Sequence, residues 1–218
     1  MNIFRKREIW LLFFSLIAAG LAAGVWYSFR TIEVNIKGVR YFSPSIKLNV
    51  FKLKDHNQQT FDNHSLEGHW TIMFFGYTHC PDICPTTLLN LSNVYKEYKT
   101  RPDAKNLQVV FVSVDPNRDT PKTLKDYVGY FNQHFLGVTG DPTQIDALTQ
   151  SAGAIYDFED ATSGELLSAE QVKGKKDYRV DHYASLILVN PAGEMVAHIY
   201  PPHDPPRVIN ILQTIINL

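Results

Sequence analysis

Cysteine is scarce in this sequence, since Cys80 and Cys84 are the only two among 218 residues. The two thiols are four positions apart, and a disulfide that closes so short a loop removes little entropy from the unfolded chain. A purely structural cross-link is therefore a poor explanation for the pair. The spacing favours a chemical role for the two thiols.

An excess of charge of either sign is also missing. Lysine and arginine number 21, aspartate and glutamate number 22, and the formal net charge is −1. No basic stripe runs along the chain, which argues against nucleic-acid binding. Internal repeats and low-complexity segments are absent as well, and the length fits one ordinary domain with an additional segment.

The additional segment is an uncharged, mostly apolar run at residues 9–29. As a helix it would extend about 30 Å, the thickness of the hydrocarbon core of a bilayer. Trp10 and Trp26 would lie at its two interfaces, and the basic residues at 5–7 keep the N-terminus in the cytoplasm. We predict a cytoplasmic N-terminus at residues 1–8 and a transmembrane anchor at 9–29, with a cleaved signal peptide as the alternative.

The rest of the chain is predicted to contain a connector at residues 30–47 and one exported domain at residues 48–218. Strand patterns alternate with helix patterns, which is typical of an α/β fold with a mixed central sheet between helices. The predicted strands cover 48–53, 70–77, 107–114, 183–189 and 194–200. The predicted helices begin near residues 85, 121, 142 and 206. Two further segments are predicted to be irregular, a short link at residues 137–140 and a surface excursion, a polar loop, at residues 159–176.

The two cysteines lie where the strand at 70–77 gives way to a helix with Pro85 in its first turn. This is the thioredoxin arrangement, although the spacing is C-x-x-x-C. A helix N-terminus favours the thiolate form. Thiolates exchange with disulfides, and with a third ligand they bind Cu(I) or Zn(II). Both chemistries remain open at this point.

A metal site requires a further ligand, and His182 is the best candidate among the eight histidines. It precedes an apolar strand, where a thioredoxin-like layout brings a loop to the thiols. Asp181 would orient its imidazole. The alternatives are a structural histidine at 182 and a turn residue at 181. The other histidines, including His79 beside Cys80, are predicted to point elsewhere.

The sequence resembles the Sco (SenC) family, whose members are membrane-anchored factors for cytochrome c oxidase assembly. The resemblance covers about residues 48–218. It rests on FFGYTHCPDICPTTL at 74–88, on SVDPNRDTP at 113–121, and on Asp181-His182 followed by NPAG at 190–193. The stretch from 157 to 178 is longer than is usual for the family, and Tyr183 is bulkier than the residue expected after the histidine.

The resemblance implies a thioredoxin-like fold in which Cys80, Cys84 and His182 bind one copper ion, with Asp115 to Pro121 shaping the structure near the site. It implies a metallochaperone rather than an enzyme, which serves the CuA centre of cytochrome c oxidase subunit II. A copper donor and a thiol reductant are implied as partners. With no presequence before the anchor, the expected location is a bacterial inner membrane, with the domain in the periplasm.

Two other functions compete with this interpretation. A thiol-disulfide oxidoreductase would keep the CuA cysteines of subunit II reduced, with Cys80 and Cys84 as its redox-active pair and no need for His182. A peroxiredoxin-like peroxidase would need an activating Thr and Arg beside a reactive cysteine. Thr78 without a matched Arg gives that third function little support.

Overall fold

The structure is a computed structural model that describes Trp10 and residues 14–22, 36–102 and 104–218. It contains two units, residues 1–34 and residues 35–218. Residues 14–22 of the first unit are helical. Most of the predicted anchor and all of the predicted cytoplasmic N-terminus lie outside the described residues. None of the described helices has both the length and the apolar character needed to cross a membrane.

The second unit is built on two β-sheets. Its described strands are β1 (Val39–Lys47), β2 (Lys52–Asp55), β3 (Thr60–Asp62), β4 (Trp70–Gly76), β5 (Leu107–Ser113), β6 (Leu136–Thr139), β7 (Tyr156–Asp160), β8 (Leu166–Leu167), β9 (Tyr178–His182), β10 (Leu186–Val189) and β11 (Glu194–Ile199). The larger, mixed sheet has the order β1-β11-β10-β4-β5-β6-β2-β3. The smaller has the order β8-β7-β9.

Four α-helices and one short 3-10 helix (Asn63–Leu66) accompany the sheets in the described part of this unit. The α-helices are α1 (Ile83–Lys99), α2 (Pro121–Phe131), α3 (Pro142–Ala152) and α4 (Pro205–Ile216). Helix α1 packs against α4 and α2. Side chains cap two of the helices, because Thr120 accepts a hydrogen bond from the N–H of Thr123 and Asp141 accepts one from Thr143. Together with a proline in the first turn, these caps explain the predicted helix starts.

The centre of the large sheet is the parallel pair β4 and β5, in register from Trp70 opposite Leu107 to Gly76 opposite Ser113. Both strands are buried almost throughout, as their continuous apolar runs predict. Full burial of side chains such as Phe74 and Phe111 contributes roughly 1.5–3 kcal/mol each. Because the strands are parallel, the segments that follow them emerge at the same edge of the sheet.

Two segments are more regular than their sequences indicate. Residues 39–47, within the predicted connector, form β1 and pair antiparallel with β11 at the edge of the large sheet. Residues 136–139, which overlap the predicted link at 137–140, form β6 beside β5. Both short or polar patterns become strands because a neighbouring strand supplies hydrogen-bond partners, an interaction that no local pattern encodes.

The predicted surface excursion also contains regular structure. It begins within β7, contains β8 and ends shortly before β9. Strands β7 and β9 pair antiparallel, with Tyr156 opposite His182. Along β9, Tyr178 and Val180 are buried while Arg179 and Asp181 are exposed. His182 is the last residue of this strand rather than part of a loop. By the alternation of strand side chains it lies on the buried face.

Candidate metal centre

The structure brings the three predicted ligands together. Cys80 lies in the turn after β4, Cys84 in the first turn of α1, and His182 at the end of β9. One ligand atom from each lies within 4.8 Å of the others, and Cys84 Sγ is 3.3 Å from His182 Nε2. In the part of the chain that the structure describes, no other group of three such side chains has this proximity.

The backbone around the cysteines explains their positions. The N–H of Cys80 donates to the carbonyl of Tyr77, and that of Thr86 donates to Asp82 at the start of α1. Gly76 leaves space for the second thiol, since a Cβ at this position would lie 2.6 Å from Cys84 Sγ. Cys84 is fully buried and Cys80 is 9% exposed, so Cys80 is the more accessible sulfur.

The two thiols differ in acidity. A hydrogen bond from Cys84 lowers the pKa of Cys80 to about 3, against the opposing effect of burial, with further help from His182. Burial raises the pKa of Cys84, and the hydrogen bond to Cys80 raises it further. The pair therefore shares one proton, which resides on Cys84 and leaves a thiolate at Cys80.

Aromatic rings surround the imidazole of His182. The Tyr77 ring meets it edge to face at 5.8 Å between centroids, and Phe74 lies at 6.1 Å. Its Nδ1 is buried and has no hydrogen-bond partner among the described residues. Asp181 is exposed, and it accepts no hydrogen bond from this Nδ1, as the predicted orienting role would require. Packing against rings, rather than a carboxylate, holds this imidazole.

Asp119 supports the loop that carries Cys80. Its side chain is fully buried and accepts hydrogen bonds from the N–H and hydroxyl of Thr78, at 2.9 and 2.6 Å, and from the Ser113 hydroxyl at 2.6 Å. Burial raises the pKa of Asp119, and these hydrogen bonds oppose the shift. The prediction that residues 115–121 shape the neighbourhood of the site is borne out by these contacts.

The remaining histidines lie apart from this group. The side chain of His79 is 54% exposed, and its Nδ1 is 3.8 Å from Asp119. His198 is buried beside the sulfur of Met195, and His203 donates or accepts at the carbonyl of Ile199 according to its tautomer. The sequence predicted a role for Arg118 and Asp119 only as members of the segment 115–121, and it assigned no role to Tyr178. One sequence signal could have identified Arg118 and Asp119, namely that polar residues directly follow the buried strand β5. Strand β5 is parallel to β4, the strand that precedes the cysteines.

Comparison with known proteins gives a consistent result. The family model described as SCO1/SenC matches residues 43–217. An SCO2-like protein of Rickettsia felis is 30% identical over 191 residues, covering 85% of this chain and 86% of the relative.

Two solved structures support the fold. Arabidopsis thaliana ScoI with copper bound has a TM-score of 0.66 at 29% identity, over 78% of this chain and 98% of the other. Bradyrhizobium japonicum ScoI with copper bound has a TM-score of 0.63 at 33% identity, over 77% and 98%. These similarities confirm the predicted mixed α/β, thioredoxin-type architecture.

Proposed function

This chain belongs to the SCO1/SenC family, and from that premise we propose that it is a copper-binding assembly factor for the CuA centre of cytochrome c oxidase. Cys80, Cys84 and His182 would hold the copper ion. The observation that carries the proposal is the approach of two sulfurs and one imidazole nitrogen to within 4.8 Å of one another. Copper is here the cargo of the protein, which is held and passed on.

The chemistry of the donors fits this cargo. Thiolate sulfur is a soft ligand that selects Cu(I), and imidazole also suits copper. A structural zinc site almost always has four protein ligands. Among the described residues, only three candidate ligands meet at this position. A three-ligand group of this composition therefore fits Cu(I) better than structural zinc.

The proposal includes a location and partners. An anchor at residues 9–29 would hold the domain at the periplasmic face of a bacterial inner membrane. There it would meet subunit II of cytochrome c oxidase and a copper donor. Because both sulfurs must be reduced before they bind copper, and the compartment is oxidising, a thiol reductant is a further proposed partner.

Copper titration of the purified, reduced chain tests the proposal. We expect one Cu(I) per chain by chelator competition, with affinity at least about tenfold weaker in His182→Ala, since even outer-shell changes cost metal sites this much. His79→Ala is the matched control, because His79 adjoins Cys80 but lies outside the ligand group, and its affinity should match the wild type. Absence of copper uptake, or equal affinities for all three proteins, would refute the assignment.

A second function, thiol-disulfide exchange, is favoured by the lowered pKa of Cys80 and its greater exposure. The Cys80 thiolate would attack the disulfide formed by the CuA cysteines and expel one of them as a thiolate. Cys84 would then lose its proton and attack Cys80, which releases the second cysteine and leaves a Cys80–Cys84 disulfide. The substrate disulfide is reduced and the dithiol of this chain is oxidised.

The two functions separate at His182. Thiol exchange needs only the cysteines, so His182→Ala should still reduce an oxidised CuA domain at a rate within about twofold of the wild type if exchange is the main role. A large loss of copper affinity with intact exchange would assign the histidine to the metal alone. Loss of both activities would instead show that His182 also controls the reactivity of Cys80.

A further inference from the structure

Arg118 belongs to the segment that follows β5, and its side chain reaches the strand that carries His182. Its side chain is only 9% exposed, and its Nε donates to the fully buried carboxylate of Asp115. The neighbouring Nη1 donates to the carbonyls of Lys176 and Tyr178, at 3.1 and 2.9 Å. One guanidinium group therefore connects the loop that follows β5 to the start of β9.

Aromatic contacts extend this connection. The Arg118 Cζ lies 3.7 Å from the centroid of the Tyr178 ring and 5.5 Å from that of Tyr77, which is within the range of cation–π attraction. The Tyr178 hydroxyl donates to Asp115, the carboxylate that also binds Arg118. Tyr77 in turn meets the imidazole of His182 edge to face at 5.8 Å.

Strand geometry carries this anchoring to His182. Tyr178 and His182 are the first and last residues of β9, and both belong to its buried face. Four residue steps of roughly 3.3 Å separate them along the strand. Fixing the backbone and ring of Tyr178 therefore fixes which face of β9 meets the cysteines and how far the strand reaches.

We infer that Arg118 is a positioning residue that holds His182 against the two cysteines, through Tyr178 on one side and Tyr77 on the other. The role of this imidazole as a ligand rests on the proposed function. The positioning itself is a property of the chain without any ion. The planar guanidinium is required because it donates in two directions while stacking on a ring, and a lysine ammonium does not do both.

The test compares Arg118→Gln and Arg118→Lys with Arg207→Gln. Arg207 is the matched control, because it also donates to several backbone carbonyls, among them Tyr200 and Gly38, but lies outside the contacts of His182. In the reduced, copper-free chain, nuclear Overhauser contacts between the His182 and Tyr77 rings should weaken severalfold in both Arg118 variants. They should persist in Arg207→Gln. If Arg118→Gln fails to fold, Arg118→Lys, which keeps the buried charge, supplies the result.

Copper affinity gives the second readout. Each Arg118 variant should weaken Cu(I) binding about tenfold in the otherwise native chain, but less than about twofold in the His182→Ala background. Equal weakening in both backgrounds would reveal a merely structural role and overturn the inference, as would ring contacts unchanged in both Arg118 variants. If the native chain bound no copper, the proposed function would fail, while the ring contacts would still decide the positioning role.

Discussion

Gly76 is the residue whose replacement tests the packing of the site most directly. In Gly76→Ala the new Cβ would lie 2.6 Å from Cys84 Sγ and 2.8 Å from the Phe111 ring, whereas ordinary contact begins at 3.4 Å. At least 0.4 Å of movement (3.0 minus 2.6) is therefore needed to reach the shortest contacts that Cβ atoms make, and 0.8 Å (3.4 minus 2.6) to reach ordinary contact. Cys84 and Phe111 are both fully buried, so neither can move into solvent to relieve the overlap.

Two effects of opposite sign set the size of the change. Overpacking a buried site costs about 1–3 kcal/mol. Replacing glycine in a strand by alanine recovers roughly 0.5–1 kcal/mol, because the unfolded chain loses freedom. Overpacking is the larger effect, so we expect a net loss of about 0.5–2 kcal/mol in the free energy of unfolding. Displacement of the sulfur should also weaken Cu(I) binding about tenfold, as a mispositioned ligand does.

Urea unfolding of the reduced chain and Cu(I) chelator competition measure the two effects. Gly129→Ala is the matched control, because Gly129 lies in α2 and a Cβ there meets nothing within 4 Å. That variant should gain up to about 1 kcal/mol from helix propensity and keep native copper affinity. A Gly76→Ala protein as stable as the wild type, with unchanged affinity, would show that the space beside Cys84 is not restricted.

Two further predictions concern buried polar groups. Asp119→Ala should lower the free energy of unfolding by roughly 2–4 kcal/mol in urea titrations, because it leaves the buried donors of Thr78 and Ser113 without an acceptor. Asp119→Asn should retain most of the stability. Equal losses of stability in the two variants would contradict this explanation. Burial lowers the pKa of His198 below 6.5 in the folded chain. As the pH falls, the unfolded chain therefore binds a proton at this histidine before the folded chain does. The free energy of unfolding should consequently fall as the pH drops from 7.5 to 5.5. His198→Leu should reduce that slope, and an unchanged slope would argue against the assignment.

The positions of Cys80 and Cys84 could be predicted, because the sequence patterns that determine them lie close to the two cysteines. The apolar run of β4, the proline in the first turn of α1 and the periodic apolar face of that helix all lie within residues 70–99. Each pattern specifies its own element, and the cysteines take their places from the junction. Cys84, Leu88, Leu91, Tyr95 and Tyr98 recur at steps of four and three, which predicts one helix face. All of them except the half-buried Tyr95 are buried.

The position of His182 was harder to predict from the sequence, because it depends on pairing between strands. His182 is 98 residues from Cys84 along the chain, and β9 pairs with β7 and is bound by Arg118. The burial of Asp119 is equally invisible in the sequence, since a charged residue is ordinarily predicted to be exposed. Three hydrogen bonds from distant and neighbouring donors compensate for that burial here.

The unequal exposure of the two sulfurs connects the two proposed functions. Cys84 is enclosed by Gly76, the Phe111 ring and the imidazole of His182, so a partner thiolate cannot approach it directly. Cys80 is both the more exposed sulfur and the more acidic thiol. A partner that receives copper would therefore replace Cys80 before Cys84, and a disulfide that receives electrons would also be attacked by Cys80. Cys80→Ser should consequently stop both reactions at their first step.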